Sequence, residues 1–177
     1  MKVLVVVDAQ EDFIDGALGS KEAKQVVPNI ICKVESYTDD DLIVATLDTH
    51  TEDYLETQEG KFLPVKHCIA DKDGWYLHDS ISLPVCCSNN VATVQKNTFG
   101  SKDLPYVINN QTIGKEIESI ELVGYVLDIC VISNALLLKA YYPEVQIYVD
   151  TNCCSATSKE AFDAAVTILK SCQINVV

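Results

Sequence analysis

Six side chains in this 177-residue sequence are of types that do chemistry and stand where the chain leaves a strand-like run. Asp8 follows the apolar run 2–7, Asp48 and His50 follow 42–47, Lys96 follows 91–94, and Asp128 and Cys130 follow 119–123. Cys130 falls where the apolar residues Ile120, Leu122 and Val123 give way at Gly124, before a helical pattern resumes at 131, 132, 135, 136 and 138. A thiol at the start of a helix meets unpaired backbone N–H groups and the positive end of the helix dipole, which stabilise a thiolate and can hold an oxyanion. The plain alternative is that Cys130, like many free cysteines, is a small buried apolar residue. A lone strand-end Asp or Lys is ordinarily a solvated charge. A nucleophile, an acid and a cation on one rim are a different matter, because a thiol of ordinary pKa needs both a base and a cation to react at neutral pH.

What must position these groups is an alternation of strands and helices. Continuous apolar runs at 2–7 and 42–47 read as strands covered on both faces. Shorter runs at 91–94, 119–123, 145–149 and 174–177 follow. Helical patterns cover 20–37, with Ser20 as N-cap, then 131–141, and 158–171 with Ser158 as N-cap and Glu160 behind it. Residues 49–90 lack clean periodicity, and a loop that long in a compact domain is usually functional. His78 reads as one of its loop residues. The expected fold is a single α/β domain over 1–177: a doubly wound, mainly parallel six-stranded sheet with helices on both faces, a Rossmann-like three-layer arrangement with right-handed crossovers. In such sheets ligands bind at the carboxyl ends of the strands, where the six side chains stand.

Composition narrows the partners. The formal net charge of −13 argues against nucleic acid and against an anionic membrane surface. No apolar stretch approaches the roughly 18 residues needed to span a bilayer. The amino-terminal run reaches Asp8 too soon for a secretory leader, so a cytoplasmic protein with eight reduced cysteines is expected. No CxxC pair suggests a zinc knuckle. The apolar helix Val131–Leu138 is compatible with a homo-oligomer, and a binding module without turnover is the reading from another class. An intact Asp, Lys and Cys set argues for an enzyme.

The segments VVVDAQEDF (5–13), LDTH (47–50), LPVKHC (63–68), Lys96 in VQKNTFGS, and GYVLDICV (124–131) together resemble the isochorismatase-like cysteine hydrolases, whose best known members are nicotinamidases. The resemblance spans essentially the whole chain. It implies a triad of Asp8, Lys96 and Cys130, and an oxyanion hole from the backbone N–H groups of Val126 and Cys130 beside a cis Tyr125–Val126 peptide. It also implies a metal site of Asp48, His50 and His67, joined by Glu59, with Glu56 as the nearby competitor. Asp48 and His50 lie two apart, so both reach one ion only if the strand ends there and the chain bends. An O/N/N set with open positions suits one divalent ion, Zn(II) first, with Mn(II) or Fe(II) as alternatives. The implied reaction is hydrolysis of a small amide, nicotinamide to nicotinate and ammonia, through a thioester. Hydrolysis of a carbamoyl or ureido compound, or of isochorismate, is the alternative. Phe13 and Trp75 are the expected ring-stacking partners.

Some segments depart from the nicotinamidase pattern. LPVKHC is one residue longer than the usual proline-proline-histidine segment and sets Lys66 beside the expected ligand. Leu63 stands where many nicotinamidases carry a pocket tryptophan, and TFGS replaces an aromatic-serine-alanine context.

Overall fold

The computed structural model of the protein describes residues 1–177. Its strands are β1 (Lys2–Val7), β2 (Leu42–Asp48), β3 (Val91–Lys96), β4 (Ser119–Gly124), β5 (Gln146–Cys154) and β6 (Asn175–Val176). They form one sheet in the order β3-β2-β1-β4-β5-β6, every pair parallel. This is the doubly wound order, whose crevice opens where the strand order reverses, beside β1 and β4.

The helices are α1 (Glu11–Ile14), α2 (Lys21–Glu35), α3 (Gln58–Phe62), α4 (Asp79–Cys87), α5 (Leu104–Gln111), α6 (Ile132–Tyr141) and α7 (Lys159–Ser171). The alternation of β1 side chains assigns them to faces. Val3, Val5 and Val7 pack with α5, α6 and α7, whereas Leu4 and Val6 pack with α1, α2 and α4. All five are fully buried, and each such side chain contributes about 1.5–3 kcal/mol. Ser20 and Ser158 cap α2 and α7, accepting from the N–H groups of Ala23 and Ala161.

Several elements differ from the sequence expectation for identifiable reasons. The sheet is wholly rather than mainly parallel. β5 runs five residues beyond Val149, because Asp150 is buried against Lys33 (2.9 Å). β3 reaches Lys96; it is an edge strand, so its exposed Thr93 and Gln95 hid its length. The stretch 49–90 holds α3, α4 and short 3-10 turns at Tyr54–Glu56 and Asp73–Trp75. Pro84 lies inside α4, which buries only Ile81 and Val85, too few to show a period. His78 caps that helix, its Nδ1 accepting from Ser80 N–H. The apolar residues Val131, Ile132, Ala135 and Leu138 are buried in the core, while Leu136 and Leu137 of the same helix are half-buried.

Gly124 is needed where β4 ends. Its φ is +120°, and a Cβ there would stand 2.1 Å from the Val7 carbonyl oxygen. Only glycine permits this approach, which lets Tyr125 N–H bond Val7 O at 2.9 Å and brings the Cys130 segment beside Asp8.

Candidate active site

Strand register sets the geometry. Val7 is paired with Thr46 on one side and with Gly124 on the other, and Asp48 is paired with Lys96. Asp8, Asp48, Lys96 and the segment after Gly124 therefore emerge side by side at the carboxyl edge.

Lys96 Nζ is the hub. It lies 2.7 Å from Asp8 Oδ2, 3.4 Å from Asp48 Oδ1 and 3.6 Å from Cys130 Sγ. All four residues are buried. Asp8 is held in the left-handed region (φ 47°), with its Oδ1 accepting from the Thr46 hydroxyl at 2.6 Å. Lys96 meets Oδ2 as an ion pair outside hydrogen-bonding alignment, so this oxygen is a buried acceptor without a directed donor. Burial raises the Asp8 pKa more than Lys96 lowers it. Lys96 is itself raised: burial disfavours its charge, but Asp8, Cys130 and Asp48 outweigh burial.

Cys130 departs from one expectation. It sits in a π-helical turn, Leu127–Val131, ahead of α6, and burial pushes its thiol well above the ordinary value. The Asp8 charge adds to that effect and Lys96 opposes it. Burial beside Asp8 therefore favours the neutral thiol over a preformed thiolate. The Tyr125–Val126 peptide is cis, and the Val126 N–H has no acceptor within the protein. Asn134, fully buried, donates to Cys130 O at 2.8 Å and accepts from Ser101 N–H at 2.9 Å, tying the thiol's segment to the loop after β3.

The second cluster adjoins the first. His50 Nε2 lies 3.0 Å and His67 Nε2 3.4 Å from Asp48 Oδ2; Glu59 Oε1 stands 3.7 and 3.9 Å from the same nitrogens. Asp48, His50, Glu59 and His67 thus present one donor atom each within 4.8 Å of one another. Glu59, not Glu56, is the carboxylate in the set. β2 ends at Asp48, and the chain bends so that His50 bridges to Ile69, the turn that spacing two apart requires. His67 Nδ1 bonds the Val65 carbonyl at 2.9 Å. A carbonyl only accepts, so Nδ1 carries a proton and Nε2 is the ring atom directed at the cluster, the orientation found in metal-binding imidazoles. The residues fit a divalent ion. Lys66, the cation beside His67, turns away to Glu52 at 3.1 Å.

Both clusters open on one cavity of about 1520 Å³, whose wall includes Phe13, Asp48, His50, Glu59, His67, Val126 and Cys130. Phe13 meets His67 edge to face, with centroids 5.6 Å apart. Trp75 is not on the wall. Its indole N–H donates to Thr49 Oγ1 at 2.8 Å and its ring rests on Tyr76, so it braces the loop instead of facing a ligand.

Two supporting residues escaped the sequence reading. Gln10, fully buried, bonds the Asp48 backbone twice, accepting its N–H at 2.7 Å and donating to its carbonyl at 2.8 Å. Tyr54 packs its ring against His50 (4.6 Å) and His67 (4.9 Å) while its hydroxyl donates to Leu63 O. Neither leaves a sequence signal, since Gln10 lies between Ala9 and Glu11 and Tyr54 between the exposed Asp53 and Leu55.

The family profile described as the isochorismatase domain matches residues 2–177. The chain belongs to the isochorismatase family. No curated protein sequence matches it. Among solved structures, a nicotinamidase/pyrazinamidase from Bacillus subtilis superposes with a TM-score of 0.84 at 24% identity, covering 99% of this chain and 98% of the other. A pyrazinamidase from Pyrococcus horikoshii, in complex with zinc, gives 0.79 at 21%, with 99% and 98% covered. An N-carbamoylsarcosine amidase from Thermoplasma acidophilum gives 0.74 at 21%, with 99% and 94% covered. At these identities the likeness establishes the shared fold, and the family match makes the chain an isochorismatase-family hydrolase. No helix is long and apolar enough to cross a membrane.

Proposed function

We propose that this protein of the isochorismatase family is a cysteine amidohydrolase that converts a small planar carboxamide, best fitted by nicotinamide, to the acid and ammonia. The observation that carries the reading is the Lys96 hub, which joins Asp8 and Cys130 and, through Asp48, a four-residue donor set that lines the same cavity as Cys130.

As Cys130 Sγ attacks the amide carbonyl, its proton passes to Asp8 Oδ2, the acceptor without a directed donor. Lys96 offsets the charge on sulfur and carboxylate throughout. The carbonyl oxygen becomes an oxyanion held by the N–H groups of Val126 and Cys130, each such donor lowering the barrier by about 3–4 kcal/mol. Asp8 returns the proton to the amide nitrogen, the C–N bond breaks, ammonia leaves and a thioester remains. Water then attacks the thioester, giving its proton to Asp8. Asp8 protonates the departing sulfur, which restores the thiol and frees the acid.

A divalent ion held by Asp48, His50, His67 and Glu59, zinc first among the candidates, would supply a Lewis acid that orients the ring nitrogen. Untagged protein should then contain close to one equivalent of divalent metal by elemental analysis, and His67→Ala should lose most of it. A metal-free protein that stays fully active in chelator would contradict this assignment.

Ammonia release from nicotinamide, pyrazinamide and benzamide, measured side by side, tests the substrate. Benzamide lacks the ring nitrogen and should be the poorest, by about tenfold or more in kcat/KM, the equivalent of ~1.4 kcal/mol. Turnover of an N-carbamoyl amino acid with none of these three would keep the cysteine mechanism and remove nicotinamide.

A further inference from the structure

We propose that the natural substrate carries an apolar arm on its ring, and that the arm lies in the groove between the first turns of α2 and α7. The inference rests on the amidase reading above. A single-ring carboxamide leaves most of the cavity unused, since about 1520 Å³ exceeds the roughly 300–1,000 Å³ of sites that enclose whole drug-sized ligands. Besides exposed Phe62, Leu63 and Phe99, the cavity is lined beyond Val126 by half-buried Leu18 and Val26 from the α2 side and Ala156 and Phe162 from the α7 side, the less exposed of the two apolar sets.

Both walls are fastened to the segment that carries Cys130. Tyr125 OH donates to Ala23 O at 2.9 Å, fixing the start of α2. Leu127 N–H donates to Ser155 O at 2.7 Å and Thr157 N–H to Asp128 Oδ1 at 2.9 Å, fixing the approach to α7. The groove is therefore built to a set distance from the thiol. Ser20 and Ser158 already cap both helix starts, and the exposed Glu22 and Lys159 bring opposite charges to the same lining, so the half-buried apolar side chains are the surface left for an arm. In a pyridine-3-carboxamide with its carbonyl at Cys130 and its nitrogen toward Asp48, His50 and His67, C5 is the position meta to both anchors. An arm on C5 is directed away from both clusters.

The test compares nicotinamide with 5-propylnicotinamide as substrates, and nicotinate with 5-propylnicotinate as ligands by calorimetry. In the wild type the propyl group should lower both KM and Kd about tenfold. Val26→Trp should remove that advantage while leaving nicotinamide kinetics within about twofold. Phe162→Ala should reduce the advantage by loss of wall area, and it carries the test should the tryptophan variant fail to fold. Hydrolysis of nicotinamide with no gain, or a loss, from the propyl group would overturn the groove. If neither amide is hydrolysed, the amidase reading falls, and the Kd values of the two acids still decide whether the groove takes the arm.

Discussion

Cys130→Ala is expected to abolish ammonia release, with kcat falling on the order of 10⁴-fold or more, because removing a covalent nucleophile leaves only binding and the oxyanion donors. The fold should survive. The substitution deletes one sulfur from a position beside a cavity, and Asn134 still holds the backbone carbonyl of residue 130. Trimming one buried atom costs on the order of 1 kcal/mol, so the melting transition should move by only a few degrees. Activity within about tenfold of wild type would remove Cys130 from the chemistry and return it to the role of a buried apolar residue.

Asp8→Asn has the second largest expected effect. The amide keeps the carboxylate's shape and still accepts from Thr46, but it cannot take a proton from sulfur. Loss of a general acid–base group accounts for about 10²–10⁴-fold in rate, and here the same group serves both half-reactions, so the upper end is expected. The variant also leaves Lys96 with only Asp48, at 3.4 Å, as counter-charge. Breaking a buried pair typically costs about 3–5 kcal/mol, so urea denaturation should show a clear loss of stability. The two effects separate by measurement: nicotinate binding under conditions where the variant remains folded reports the site, and kcat reports the proton. A folded variant that binds nicotinate and keeps wild-type kcat would show that another group is the base.

Strand positions were legible because a sheet covered on both faces writes itself as apolar runs, and β1 and β2 are nearly free of polar residues. The strand-end residues Asp8, Asp48 and Lys96 stood out for the same reason, each closing such a run, and Cys130 stood out between the break at Gly124 and the helical pattern that follows. The supporting network was hidden because its members matter through pairings far apart in sequence. Gln10 reaches Asp48, Thr46 reaches Asp8, and Asn134 reaches Ser101, none of which leaves a periodic trace. Trp75 shows the opposite error: an aromatic side chain in an irregular stretch suggests a ligand, but the indole N–H has a partner in Thr49 and the ring supports the loop. The thiol's protonation also lay outside what spacing reveals. A position near a helix start argues for a thiolate, whereas burial with Asp8 alongside favours the neutral form.

The most direct test of the account is to quench wild-type protein with acid during turnover of nicotinamide and map the peptides by mass. The account predicts a nicotinoyl group on the peptide containing Cys130, appearing before steady state, absent from Cys130→Ala and lost on treatment with hydroxylamine. Steady ammonia release with no acyl group on Cys130 under any quench time, together with an active Cys130→Ala, would contradict it.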